Sequence, residues 1–138
     1  MKSAPFSMRL SRGLDELVSE EARRTRRSKG AIVESLAEEA LRMRLFPGIA
    51  FRGADWERRP WVIGTAFDVW QVVDAQRDFG SVERMVAEGN LSEGQIRLAM
   101  AYYERFPDEI DEDVARNRRP LEELRADYPF IDVRSAQA

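Results

Sequence analysis

The stretch Pro5–Ser11, PFSMRLS, alternates between apolar and polar side chains without interruption. In an extended chain the two kinds of residue point to opposite sides: Phe6, Met8 and Leu10 to one, and Ser7, Arg9 and Ser11 to the other. This period of two predicts a β-strand with one buried and one solvent-facing side. No second strand is predicted before residue 46, so the strand requires a partner from elsewhere.

The residues after the strand predict two amphipathic helices. Ser11 is a predicted N-cap for the first, from about Gly13 to Thr25, and Ser28 for the second, over about 29–45. Apolar residues recur on both at helical spacing: Leu14, Leu17, Val18 and Ala22, then Ile32, Val33, Leu36, Ala40, Leu41 and Met43. A second copy of the chain can provide the pairing partner that the lone strand needs. Two such strands pair antiparallel about a two-fold axis, and the four helices of the two copies cover their apolar side.

The polar side of such a ribbon presents Ser7 and Arg9 twice, at a width that enters a DNA major groove. The order of strand, helix, basic turn (Arg24–Lys29, RTRRSK) and helix resembles the ribbon-helix-helix family of bacterial DNA-binding proteins, over about Pro5–Leu45. The resemblance implies an intertwined homodimer or higher homo-oligomer on double-stranded operator DNA, with base contacts from Ser7 and Arg9. It also implies phosphate contacts from the strand end, the turn and the start of the second helix: Ser11, Arg24, Arg26, Arg27, Ser28 and Lys29.

Two simpler interpretations stay open for this region. The strand can edge a sheet made with residues 50–64, and the basic turn can be a solvated helix end. The charge distribution favours DNA binding, because residues 1–60 hold 13 Lys/Arg against 9 Asp/Glu, whereas residues 61–138 hold 9 against 16. A polyanionic partner is therefore expected to bind the N-terminal part of the chain.

The composition argues against an enzyme. The chain contains neither histidine nor cysteine, which excludes Ser-His-Asp and Cys-His nucleophile systems and the common zinc sites. We therefore expect no catalytic residues, no cofactor and no metal. There is no apolar run long enough for a membrane span and no signal-peptide core, so we expect a cytoplasmic protein without a membrane partner.

Residues 47–107 predict a small helical bundle with a short β-hairpin, which makes the whole chain mostly α. The hairpin is expected between Ile49 and Thr65. Helices are expected from about Asp68 to Phe79, after Ser81, and from a capping box at Ser92 to Phe106. Pro107 is expected to end the last of them.

The hairpin motif Arg59–Thr65, RPWVIGT, resembles a family of small bacterial domains built on a helix-turn-helix-like core. Members of that family are often encoded beside PIN-type ribonuclease toxins, which implies an antitoxin role. Ala66 and Asp68 stand where the family commonly has a basic residue and a proline. The acidic charge of this region favours a structural or dimerising module over a second DNA site, and the three tryptophans are assigned to core and hairpin packing: Trp56, Trp61 and Trp70.

Residues 108–138 form an acid-rich C-terminal segment that is expected to bind a partner. Its acidic start, from Asp108 to Asp113, is interpreted as a solvated helix start rather than a metal site. Antitoxins of PIN-type nucleases often insert a basic residue among the carboxylates of the nuclease site. That resemblance nominates Arg118 and Arg119 for insertion, with four apolar groove anchors: Leu121, Leu124, Tyr128 and Phe130. A C-terminal helix packed on its own domain is the alternative.

The predicted domains are therefore 1–46 for DNA binding and dimerisation, 47–107 for a helical module, and 108–138 for partner binding. The predicted function is that of a type II antitoxin, which represses its own operon and neutralises a protein toxin, expected to be a PIN-type ribonuclease. The alternative is a stand-alone ribbon-helix-helix repressor with an oligomerisation or sensing domain. A pure interaction protein and a carboxylate-based enzyme are further rivals.

Overall fold

The computed structural model describes residues 3–117, and over these residues it is mostly helical, with six α-helices and one two-stranded antiparallel sheet. The chain divides into two compact units. Of the described residues, the first unit contains 3–47 together with Gly53–Arg58, and the second contains Gly48–Arg52 together with 59–117. The loop of the predicted hairpin thus groups with the N-terminal helices.

The first unit is built from α1 (Arg12–Thr25) and α2 (Lys29–Leu45). Both predicted caps are confirmed: the hydroxyl of Ser11 accepts from the backbone N–H of Leu14 at 3.3 Å, and that of Ser28 accepts from Ala31 at 3.1 Å. Arg26 ends α1 in a left-handed conformation with φ of 57°. This single left-handed residue turns the chain from α1 into the cap of α2.

Residues 5–11 have no strand partner within the described part of the chain and form neither helix nor strand there. The alternative that they edge a sheet with residues 50–64 is wrong, because that sheet consists of β1 and β2 alone. A strand that pairs with a second copy of itself has no partner in one chain, so the ribbon stays a prediction.

The second unit begins with a hairpin of β1 (Ile49–Arg52) and β2 (Arg59–Val62), in which Ile49 lies opposite Val62. Four helices follow: α3 (Val69–Phe79), α4 (Val82–Glu88), α5 (Glu93–Arg105) and α6 (Pro107–Asn117). The hairpin, the three predicted helices and the Ser92 capping box with Gln95 are confirmed.

Helix α3 is the centre of the second unit and packs against α4, α5 and α6. The core contains buried side chains from three of these helices: Val69, Val72, Val73, Ile96, Ala99, Tyr102, Ile110 and Val114. Pro107 follows α5, as predicted, but it also begins α6, because proline fits the first position of a helix, where no N–H partner is needed. No helix of the described residues is long and apolar enough to cross a membrane.

Candidate nucleic-acid interface

The first unit leaves most of its apolar side chains uncovered. Among its described residues only Val18 and Ile32 are buried. The apolar positions of α2 were expected to be buried, and for Leu36, Leu41 and Met43 this expectation is wrong in the single chain. Two short helices bury too little against each other. The exposed side chains come from the N-terminal segment and from both helices: Phe6, Met8, Leu14, Leu17, Leu36, Leu41, Met43 and Leu45. We call this set the apolar surface.

A groove of about 670 Å³ lies between the N-terminal segment and the start of α2. Phe6, Met8 and Leu10 line it from the segment, and Val33 and Ala37 line it from α2. The apolar side of the predicted strand therefore faces an open apolar groove. An extended apolar patch on a soluble domain is typical of a contact site for another protein chain.

The two residues predicted to contact DNA bases are accessible. Ser7 and Arg9 are both exposed, although Ser7 also lines the groove. Arg9 forms no ion pair or hydrogen bond with any other described residue, and the same is true of the Arg26 side chain at the end of α1. These two guanidinium groups are therefore available to an external anion.

The start of α2 has the features of a phosphate-binding helix terminus. Ser28 and Lys29 are exposed there, and a Cβ placed on Gly30 would meet no described heavy atom within 4 Å. The first backbone N–H groups of a helix lack intrahelical partners and carry partial positive charge. The hydroxyls of Ser11 and Ser28 already accept cap hydrogen bonds, so each has its own O–H left to donate.

Two of the predicted phosphate contacts are engaged in ion pairs inside the first unit. Lys29 Nζ lies 3.0 Å from Asp15 Oδ1. Arg24 donates to Glu21 on its own helix and to both carboxylate oxygens of Asp55, at 3.1 and 3.2 Å. Arg27 makes two long hydrogen bonds, of 3.4 Å to Ser35 and 3.5 Å to the carbonyl of Ala31.

The partner of Arg24 belongs to the loop between β1 and β2, which was not among the predicted site residues. The hydrogen bonds from Arg24 hold the pKa of the Asp55 carboxyl below its usual range, and Asp55 and Glu21 together raise the pKa of Arg24. Arg58, from the same loop, donates to Glu39 on α2 at 2.9 Å. Asp55 lies 31 residues from Arg24 in the chain, and no local pattern links two residues so far apart.

The RPWVIGT motif serves a structural role in the second unit. Asp68, only 4% exposed, accepts from Arg52 at 2.7 Å, from Arg59 at 2.8 Å and from the Trp70 indole at 3.2 Å. These hydrogen bonds tie both strands of the hairpin to the start of α3. Asp68, one of the two residues that depart from the pattern of the resembled family, is therefore the centre of this network.

The tryptophan assignments are confirmed for two of the three residues. The Trp61 indole donates to the carbonyl of Thr65 at 2.6 Å, in the connection between β2 and α3, and Trp70 donates to Asp68. The third assignment is wrong, since Trp56 is 86% exposed. It lies in the middle of the Gly53–Arg58 loop, where no packed layer is available to cover an indole ring.

The acidic stretch that begins at Asp108 is part of α6. Asp111 accepts from Arg77 at 2.9 Å and from the Tyr103 hydroxyl at 2.7 Å, which joins α3, α5 and α6. These hydrogen bonds lower the pKa of Asp111, and the bond to Asp111 raises the pKa of Tyr103. The described residues contain no group of three or more acidic side chains that could hold a metal ion.

The six residues predicted to bind a toxin lie outside the described residues: Arg118, Arg119, Leu121, Leu124, Tyr128 and Phe130. Helix α6, which the sequence analysis included in the same segment, packs on α3 and α5 and buries Ile110 and Val114. Helix α6 is therefore part of the core of the second unit, and its exposed side carries Asp108, Glu109 and Glu112.

No family model matches this chain, and no curated protein or solved structure matches it either.

Proposed function

We propose that the protein is a DNA-binding regulator that acts as a homodimer of the ribbon-helix-helix type. The observation that carries this proposal is the apolar surface of the first unit, which extends from Phe6, 85% exposed, to the helices, where Leu17 is 64% exposed. Burying one such side chain fully contributes about 1.5–3 kcal/mol. A second copy is the most economical cover, because it also supplies the missing partner of the 5–11 strand.

The charges around this surface support a nucleic-acid partner. Arg9 is on the opposite side of the predicted strand from Phe6 and Met8, and it has no partner among the described side chains. In a two-fold dimer Ser7 and Arg9 each occur twice and read base edges, while Arg26 and the first turn of α2 hold phosphates. Two of the predicted phosphate contacts, Arg24 and Lys29, must first exchange an internal carboxylate for DNA.

The test is operator selection and footprinting with the full chain across a salt series. Arg9→Ala should weaken binding to the selected site by about 1–3 kcal/mol and relax its sequence preference. The matched control is Arg97→Ala, which removes the same charge from an exposed ion pair with Glu93 in the second unit. A footprint and affinity for Arg9→Ala equal to those of the parent protein would contradict the base-reading role.

We further propose that the regulator is an antitoxin whose C-terminal part neutralises a protein toxin, with a PIN-type ribonuclease as the expected partner. This proposal rests on the resemblance of the RPWVIGT motif and on the acid-rich C-terminal segment with its paired arginines. In this mechanism Arg118 and Arg119 enter the carboxylate-lined nuclease site, and Leu121, Leu124, Tyr128 and Phe130 anchor the segment in a groove. The segment blocks the nuclease sterically while the ribbon represses the operon.

A stand-alone repressor is the second candidate, favoured by the way α6 completes the core of the second unit. The two candidates differ in what residues 118–138 do. The 138-residue protein and a 1–117 variant are each co-expressed with the protein encoded by the gene adjacent to their own. The nuclease activity of that second protein and its co-purification with each variant are measured. An antitoxin loses neutralisation in the 1–117 variant and keeps DNA binding. Neutralisation that survives the truncation contradicts the proposed role of this segment.

A further inference from the structure

A small polar groove of about 250 Å³ in the first unit brings three arginines together at the end of α1. Arg24, Arg27 and Arg58 line it, and three carboxylates line it as well: Glu21, Glu39 and Asp55. Two of these carboxylates are on the helices, and the third is on the loop Gly53–Arg58. The loop contributes one charge of each sign, Arg58 and Asp55, so three positive and three negative side chains line the groove.

The geometry at Asp55 is that of a bound oxyanion. Arg24 Nη1 donates to Oδ2 at 3.2 Å and Nη2 donates to Oδ1 at 3.1 Å, a parallel two-pronged contact. The same face of a guanidinium group makes the same paired contact with two phosphate oxygens. Glu21 accepts from Nε alone, so the two terminal nitrogens of Arg24 serve Asp55 and would be free without it.

Arg58, the arginine of the loop, holds the loop in place. Arg58 donates from Nε to Glu39 at 2.9 Å and from Nη1 to the carbonyl of Gly53 at 3.0 Å. The second contact closes the loop on itself, and the first ties it to α2. Asp55 is thereby positioned over Arg24 by contacts that do not themselves involve Arg24.

We infer that the Asp55 carboxylate occupies the anion position of a phosphate site on the basic turn, and that a backbone phosphate of DNA competes with it for Arg24. This inference rests on the proposed DNA-binding function. Arg24 and Asp55 are both exposed, and exposed ion pairs are weak and screened by salt. A duplex presents closely spaced phosphates and releases counterions when a cation binds one. A phosphate can therefore replace Asp55 at Arg24, and the competition from Asp55 lowers the affinity for DNA.

Removing the negative charge of Asp55 should therefore strengthen DNA binding. In Asp55→Asn the side chain keeps its shape, while the groove gains one uncompensated positive charge at Arg24. Severalfold tighter binding to DNA is expected, together with a log–log salt dependence steeper by about 0.9 per protomer. The matched control is Glu57→Gln, which removes the same charge from the same loop two positions further on.

The measurement is fluorescence anisotropy of a labelled duplex with the full chain, across a salt series, for four proteins: the parent, Asp55→Asn, Glu57→Gln, and Asp55→Asn combined with Arg24→Gln. The inference predicts that Asp55→Asn exceeds Glu57→Gln in both affinity and salt slope, and that the excess disappears when Arg24 is also replaced. Equal effects of Asp55→Asn and Glu57→Gln, or an excess that persists without Arg24, overturn the inference while leaving the DNA-binding function intact. Absence of salt-dependent binding in all four proteins overturns both.

Discussion

Leu17→Ala tests whether the apolar surface is a subunit interface. The substitution removes three carbons, worth about 0.8 kcal/mol each when buried, or about 2.4 kcal/mol in all. Leu17 is 64% exposed in the single chain, so only that fraction, about 1.5 kcal/mol, remains to be gained by association. Two-fold symmetry doubles the loss to about 3 kcal/mol per dimer, which weakens the dimer dissociation constant about 100-fold.

Sedimentation equilibrium over a range of protein concentrations measures that constant. Val86→Ala is the matched control, because Val86 is another exposed apolar side chain and belongs to the second unit. Circular dichroism should be unchanged for both variants, since neither replaces a buried side chain. A parent protein that is monomeric at every concentration would refute the reasoning, and so would a dissociation constant that Leu17→Ala and Val86→Ala change equally.

Two further predictions concern the second unit. Asp68→Ala should lower the free energy of unfolding, measured by urea denaturation, by about 2–3 kcal/mol. The substitution leaves Arg52 and Arg59 without their buried acceptor and removes the cap of α3. A loss of stability no greater than that caused by Glu93→Ala would contradict this role of Asp68. Burial raises the pKa of Asp113 in the folded protein. The contribution of Asp113 to the free energy of unfolding is therefore fully present below its pKa in the unfolded chain, and it is lost as the pH rises through its pKa in the folded protein. The stability of Asp113→Asn relative to the parent should therefore increase from about pH 3 to pH 6, and a difference that stays constant over that range would contradict the assignment.

Helix boundaries were predictable because they depend on residues a few positions apart. Ser11 and Ser28 begin α1 and α2 through hydroxyl contacts three residues away, and the Ser92 capping box acts over the same distance. The hairpin was predictable for a similar reason, since its two strands flank one short loop. Such local preferences operate whatever the rest of the chain does.

The candidate interface was only partly predictable. Arg9 and the start of α2 are exposed, as expected, but the alternating pattern does not distinguish Arg9 from Phe6 and Met8, which are also exposed in the single chain. The pairing of Arg24 with Asp55, and the convergence of Arg52 and Arg59 on Asp68, depend on segments that meet only after folding. Sequence spacing alone contains no signal for which of several arginines receives which carboxylate.

The sequence by itself determined the local elements of this protein: an alternating segment, capped helices, a hairpin motif, and a basic front followed by an acidic remainder. Only the tertiary structure decided which of their side chains are covered. It leaves Leu17 and Phe6 in solvent, because two short helices cannot enclose them, and it buries Ile110, because α3 and α5 offer it an apolar face. Burial is a property of the packed chain, since it requires surfaces from distant segments to meet.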